Sequence, residues 1–152
     1  MNRIYLHKGQ YRWFLVSAKE SINICSRRWG KSYLSGLAIQ RNVLEMPKST
    51  GVFVASSFRQ AHSRTLPAAL MVLDQLGWKR DIHYVIGHRP PKNLGFDTPY
   101  FLPNDLHDVV WFANGTIMVI VSQEVPLSAD SMTINWLIGD EAKGLSYRKL
   151  ND

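Results

Sequence analysis

Ser26-Arg27-Arg28-Trp29-Gly30-Lys31-Ser32, directly after the short apolar run Ile22-Asn23-Ile24-Cys25, has the form of a phosphate-binding loop. The Walker A pattern asks for glycine, four free positions and then Gly-Lys-Ser/Thr; Cys25 stands at the first glycine position, while Gly30, Lys31 and Ser32 match. Gly30 can adopt backbone angles closed to other residues, so that successive N–H groups turn towards phosphate oxygens. Lys31 would bring positive charge to the β- and γ-phosphates. Ser32 would offer a hydroxyl to Mg²⁺ at a helix N-terminus whose dipole favours anions.

A Gly-Lys-Ser/Thr tripeptide arises by chance in roughly one in ten chains of this length, so its surroundings decide its meaning. The loop must leave a strand and open a helix. Ile22–Cys25 is the predicted strand. The run 33–41 sets Leu34, Leu37 and Ala38 on one helical face, with Pro47 closing the segment. The plain alternative is a basic surface turn between strand and helix.

A second motif lies near the C-terminus. The run 133–139 is an apolar strand candidate ending in Asp140-Glu141, the form of a Walker B segment. Asp140 would hold the Mg²⁺ that Ser32 also touches, and Glu141 would orient and polarise an attacking water. A strand carries such a pair to the C-terminal edge of an open α/β sheet, where ligands bind. The alternative is an Asp-Glu pair opening a solvated helix. Between the motifs, Gly51–Ala55 reads as a buried parallel strand, and Leu66, Ala69, Leu70, Leu73 and Leu76 recur at helical spacing up to Gly77. Pro67 either opens a second helix or kinks one longer helix. Val109–Ala113, Asn114-Gly115 and Thr116–Val121 predict a hairpin with a type I′ turn. Residues 78–108, rich in proline, glycine and histidine, read as an irregular excursion.

Together these residues resemble the ATPase domain of the large terminase subunit, the DNA-packaging motor of tailed bacteriophages. The loop is similar to the terminase variant of Walker A, which often lacks the first glycine and carries arginine within the loop. The resemblance makes Arg27 the first candidate for sensing the γ-phosphate, in a catalytic role beside Glu141, and Arg28 the second. Gln10, followed by Tyr11, resembles the family's adenine-recognising glutamine motif. Residues 54–61 resemble the segment after the second strand, with Arg59 and Gln60 as DNA-side candidates. Gly139 departs from the family pattern, in which an apolar residue usually precedes the Walker B aspartate.

The resemblance implies a P-loop NTPase fold of the RecA-like (ASCE) kind: α/β, with a mainly parallel sheet flanked by helices, plus a hairpin, in one C-terminally truncated domain over 1–152. ATP and Mg²⁺ are the implied ligands. Ser26, Arg27, Arg28, Trp29, Gly30, Lys31, Ser32 and Gln10 would bind the nucleotide, and Ser32 and Asp140 the metal. Double-stranded DNA, a portal protein, a small terminase subunit and a homo-oligomeric ring are the implied partners. Alternatives are another P-loop DNA translocase of helicase-like kind, or a nucleotide-binding remnant without catalysis. The nuclease domain and the strand that normally follows Walker B would be absent, so no nuclease activity, marginal stability and poor or no turnover are expected.

At 152 residues and a formal net charge of +6, the chain suits one core. Residues 1–92 carry fifteen Lys/Arg against four Asp/Glu, and residues 93–152 three against eight. The basic half suits polyanions, bound without sequence readout and in a salt-sensitive way. A single cysteine excludes an internal disulfide and fits a reducing compartment. His83, His88 and His107 lack zinc-ligand spacing. No segment reads as a membrane span or signal peptide, so a soluble, cytoplasmic protein is expected, in the host cytoplasm if it is viral.

Overall fold

The computed structural model describes residues 3–16, 18–26, 28–122 and 133–139. Asp140, Glu141 and Arg27 therefore lie outside the described residues. A five-stranded sheet forms the centre, made of β1 (Thr50–Ala55), β2 (Tyr84–Ile86), β3 (Val109–Phe112), β4 (Ile117–Ser122) and β5 (Trp136–Gly139), in the order β2-β3-β4-β1-β5. The helices are α1 (Lys8–Phe14), α2 (Lys31–Glu45), α3 (Phe58–Gln60) and α4 (Leu66–Gln75).

The sheet is mixed. β1 pairs in parallel with both β4 and β5, whereas β3 pairs antiparallel with β4 and β2. This corrects the expectation of a mainly parallel sheet: the hairpin is no appendage but supplies β4, the neighbour of β1, and so brings an antiparallel half into the same sheet. Residues 78–108 also contribute more than an excursion, since Tyr84 and Val85 are buried in edge strand β2.

Alternation along β3 assigns the two faces. Val110 and Phe112 join Phe53, Met118, Ile120 and Trp136 under Ile39 and Val43 of α2 and Ala69 and Leu73 of α4. Val109 and Trp111 point the other way, with Val85 and Ile117, beneath Phe96, Phe101, Leu102 and Leu106. A third cluster, on the outer side of α2, joins Leu34, Leu37 and Val72 to Ile4, Leu6, Trp13, Phe14 and Trp29. The N-terminal segment is thus a layer laid over α2 and α4.

Two glycines permit close approach. A Cβ on Gly36 of α2 would come within 2.6 Å of the Ala69 carbonyl oxygen, so the α2–α4 crossing depends on its absence. Gly51 lies under the indole of its register partner Trp136, whose Nε1 donates to Ser49 Oγ at 3.1 Å.

Pro67 stands in the first turn of α4, as expected of a proline that opens a helix. A π-helical turn, Ala61–Thr65, joins α3 to α4 without a break, and the Leu66 N–H reaches back five residues to Ala61 O. The wider turn meets the constraint of a ring that has no N–H and crowds the carbonyl four residues earlier. The hairpin turn also differs from type I′, in which both central residues need positive φ. Only Gly115 has it, at 81°. Phe112 N–H donates to Thr116 O at 2.8 Å and Gly115 N–H to Phe112 O at 2.9 Å, closing a three-residue loop with left-handed glycine at its end. Asn114 instead ties α2 to the hairpin, donating through Nδ2 to Val43 O.

Candidate phosphate-binding site

The position of the loop follows from how α2 meets the sheet. Four residues, Met46–Ser49, join the end of α2 to β1. The last turn of α2 is fastened to the start of β4, because Thr116 Oγ1 donates to Met46 O at 2.9 Å beside the Thr50–Ile117 register pair. The start of α2 packs beneath the N-terminal layer and against the end of α4, where Leu34 and Leu37 meet Ile4, Leu6, Val72 and Leu76. The C-terminal ends of the parallel strands lie side by side, Ala55 paired with Ser122 and Val54 with Gly139.

The loop has the backbone its glycine suggests. Gly30 is the N-cap of α2 in the left-handed region, with φ 88° and ψ 31°, and no side chain caps the helix. Arg28 is also left-handed, with φ 64°. Lys31 folds back so that Nζ donates to Ser26 O at 3.4 Å, close enough to the loop to exchange that carbonyl for an anion. Ser32 stands in the first turn of α2 and already takes part in an interaction.

Ahead of the loop the expected strand is missing. Ile22 and Ile24 are 85% and 94% exposed, and 21–26 joins no ladder. The Walker A pattern is met in its loop-to-helix part and not in its strand-to-loop part. Apolar alternation predicted a strand there, but a strand also needs a neighbour to receive its N–H and C=O groups. β5, the nearest candidate by motif logic, pairs on β1.

Gln10 comes close to the loop, and more firmly than its sequence position suggests. It is buried, its Nε2 donates to Trp29 O at 3.1 Å, and its Oε1 accepts from His7 N at 3.1 Å. A Cβ on Gly30 would overlap the Gln10 amide nitrogen. His7 is the residue that sequence reading missed. Its Nδ1 accepts from the Gly9 and Gln10 N–H groups at 3.1 and 3.3 Å, capping α1. Nε2 therefore carries the proton and donates to Trp29 O at 3.2 Å, while the two rings meet edge to face at 4.7 Å. The signal was the spacing His7-x-x-Gln10, which is that of a capping box with histidine in place of serine or threonine.

A second polar group lies at the start of β3. His62, on the π-helical turn, bonds Asp108 Oδ1 through Nε2 at 2.7 Å, and His107 Nδ1 approaches the same oxygen at 3.2 Å. Asp108 O accepts from Ile120 N–H near the end of β4. Arg59 and Arg64 are exposed on the helical segment that carries His62, and Gln60 is turned inward to the Ser56 hydroxyl. Among the described residues no group of three or more His, Cys, Asp or Glu is arranged to hold a metal. No described helix is long and apolar enough to cross a membrane.

The fold is α/β, with a mixed five-stranded sheet, and a left-handed glycine turn opens helix α2. Comparison of the chain with known protein families, with curated proteins and with solved structures finds no match.

Proposed function

We propose that the chain is a P-loop ATPase domain of the DNA-packaging type, which binds ATP at Gly30-Lys31-Ser32 and couples its hydrolysis to movement along double-stranded DNA. The observation that carries this reading is the left-handed Gly30 turn at the uncapped start of α2, with Lys31 folded over it. That donor set fits a polyphosphate: the N–H groups at the start of the helix, the helix dipole and the Lys31 ammonium can converge on one anion.

In this reading Lys31 and the N–H groups at the start of α2 hold the phosphates. The Ser32 hydroxyl and the Asp140 carboxylate would hold Mg²⁺, which would supply neutralisation of charge on the transferred phosphoryl group. Glu141 holds the attacking water, and Arg27, with Arg28 as second candidate, faces the γ-phosphate. The basic half, including exposed Arg59 and Arg64, grips the DNA backbone without base readout. Portal, small subunit and sister subunits are the partners of such a motor.

The test is equilibrium binding of ATP with Mg²⁺ to the full chain. Lys31→Ala is expected to weaken it at least about tenfold, roughly 1.4 kcal/mol. Equal binding by the variant would overturn the reading. The unpaired Ile22–Cys25 segment favours a second reading, binding without turnover. Steady ATP hydrolysis that Glu141→Gln abolishes would exclude it.

A further inference from the structure

The phosphate loop is braced from outside as well as by its own Lys31–Ser26 bond. Its Trp29 carbonyl oxygen accepts two side-chain hydrogen bonds from outside the loop, one from Gln10 Nε2 and one from His7 Nε2. In a trans peptide the C=O and the following N–H point in opposite directions. Holding the Trp29 carbonyl against α1 therefore turns the Gly30 N–H away from α1, on the first donor of the turn that opens α2. Both ends of the Gln10 amide are used in this arrangement, since its oxygen accepts from His7 N.

Helix α1 is itself held at both ends. At its far end Arg41 of α2 donates to Phe14 O at 3.1 Å and lies over the Phe14 ring. Gly9 lets the Trp29 ring settle on α1, because a Cβ there would come within 2.9 Å of the indole.

We propose that Gln10 is a positioning residue for the phosphate loop, fixing the Trp29–Gly30 peptide together with His7, rather than a reader of the nucleobase. The substrate class follows: a nucleoside triphosphate chosen by its phosphates, with adenine and guanine accepted alike. This rests on the phosphate-loop reading above.

The experiment measures binding of ATP, GTP and inorganic tripolyphosphate, each with Mg²⁺, to the full chain and to Gln10→Ala and Gln10→Glu. The glutamate keeps an acceptor for His7 N but cannot donate to Trp29 O at neutral pH. Wild type is expected to bind ATP and GTP within about threefold of each other, roughly 0.7 kcal/mol. Both variants are expected to lose about tenfold for all three ligands alike, measured at a temperature where each variant is folded. Loss for ATP alone, with tripolyphosphate unchanged, would make Gln10 a base reader and overturn the proposal. Unchanged binding of all three by both variants would also overturn it. If wild type binds none of the three, the phosphate-loop reading fails by itself. The positioning claim is then decided by hydrogen exchange at the Gly30 amide, which Gln10→Glu must alter for the claim to stand.

Discussion

The two flanks of the phosphate loop are built from similar apolar signals and end up in opposite states. On the C-terminal side, α2 buries Leu34, Leu37, Ala38 and Ile39 to 4% exposure or less. On the N-terminal side, Ile22 and Ile24 stand in solvent and pair with nothing in the sheet. The difference lies in where each kind of element finds its hydrogen bonds. A helix satisfies its backbone internally and needs only a partner for one face, which α4 and the sheet provide. A strand needs a neighbour's backbone, so its apolar alternation is not enough by itself.

Truncation should therefore cost the two flanks unequally. Phe53→Ala, at the centre of β1 and fully buried, should cost about 3–5 kcal/mol in chemical denaturation. Ile24→Ala, on the exposed flank, should stay within about 0.5 kcal/mol. A large cost at Ile24 would mean that the N-terminal flank packs in solution after all, and the contrast would be lost. Gly36→Ala comes next. The added methyl gains about 1 kcal/mol of helix propensity but meets the Ala69 carbonyl and Val72 in the α2–α4 contact. Overpacking of this kind costs about 1–3 kcal/mol, so the net change should be destabilising and small, read as a lower denaturation midpoint at unchanged slope.

Much of the ordered side was legible from residue pattern. The i, i+3, i+4 spacing placed α2, the compact run at Gly51–Ala55 placed β1, and the spacing at Leu66–Leu73 placed α4. Both strands of the hairpin also emerged, although its turn did not, because Asn114 is committed to α2 and leaves left-handed backbone to Gly115 alone. β2 was not legible, being three residues long between turn-forming neighbours and buried by tertiary packing rather than by local preference. The pattern located Gly30 and Lys31 correctly at the opening of α2. It could not tell that His7 and Gln10 would both bond Trp29 O, since that contact spans about twenty residues and depends on α1 lying across α2.

A smaller stability effect is expected at the junction of the two flanks. Gly30 sits at φ 88°, where a side chain costs about 1–2 kcal/mol. Gly30→Ala must also displace the Gln10 amide, which is the end of a flexible side chain and can move. The fold should therefore lose only about 1–2 kcal/mol, while Mg²⁺-ATP binding falls much further, because the turn that aims the loop amides is lost. Denaturation and nucleotide binding on the same variant separate the two. A variant that kept full binding would show that the left-handed turn has no part in the site.

The smallest effect tests whether the ordered side continues to the far edge of the sheet. Tyr84 in β2 is buried against Phe112, and burial pushes its phenol above the usual 10.0, with Asp74 and Asp81 adding to the rise and Arg80 opposing it. The charged phenolate is the form that burial disfavours, so the folded state binds the proton more tightly than the unfolded state does. The contribution of Tyr84 is then complete below pH 10 and declines as pH rises through 10 towards the raised folded value. Tyr84→Phe cannot ionise, so the stability difference between wild type and variant should shift in favour of the variant between about pH 9 and 11. A constant difference over that interval would mean that the β2 edge opens to water, and that the ordered half of the comparison ends at β3.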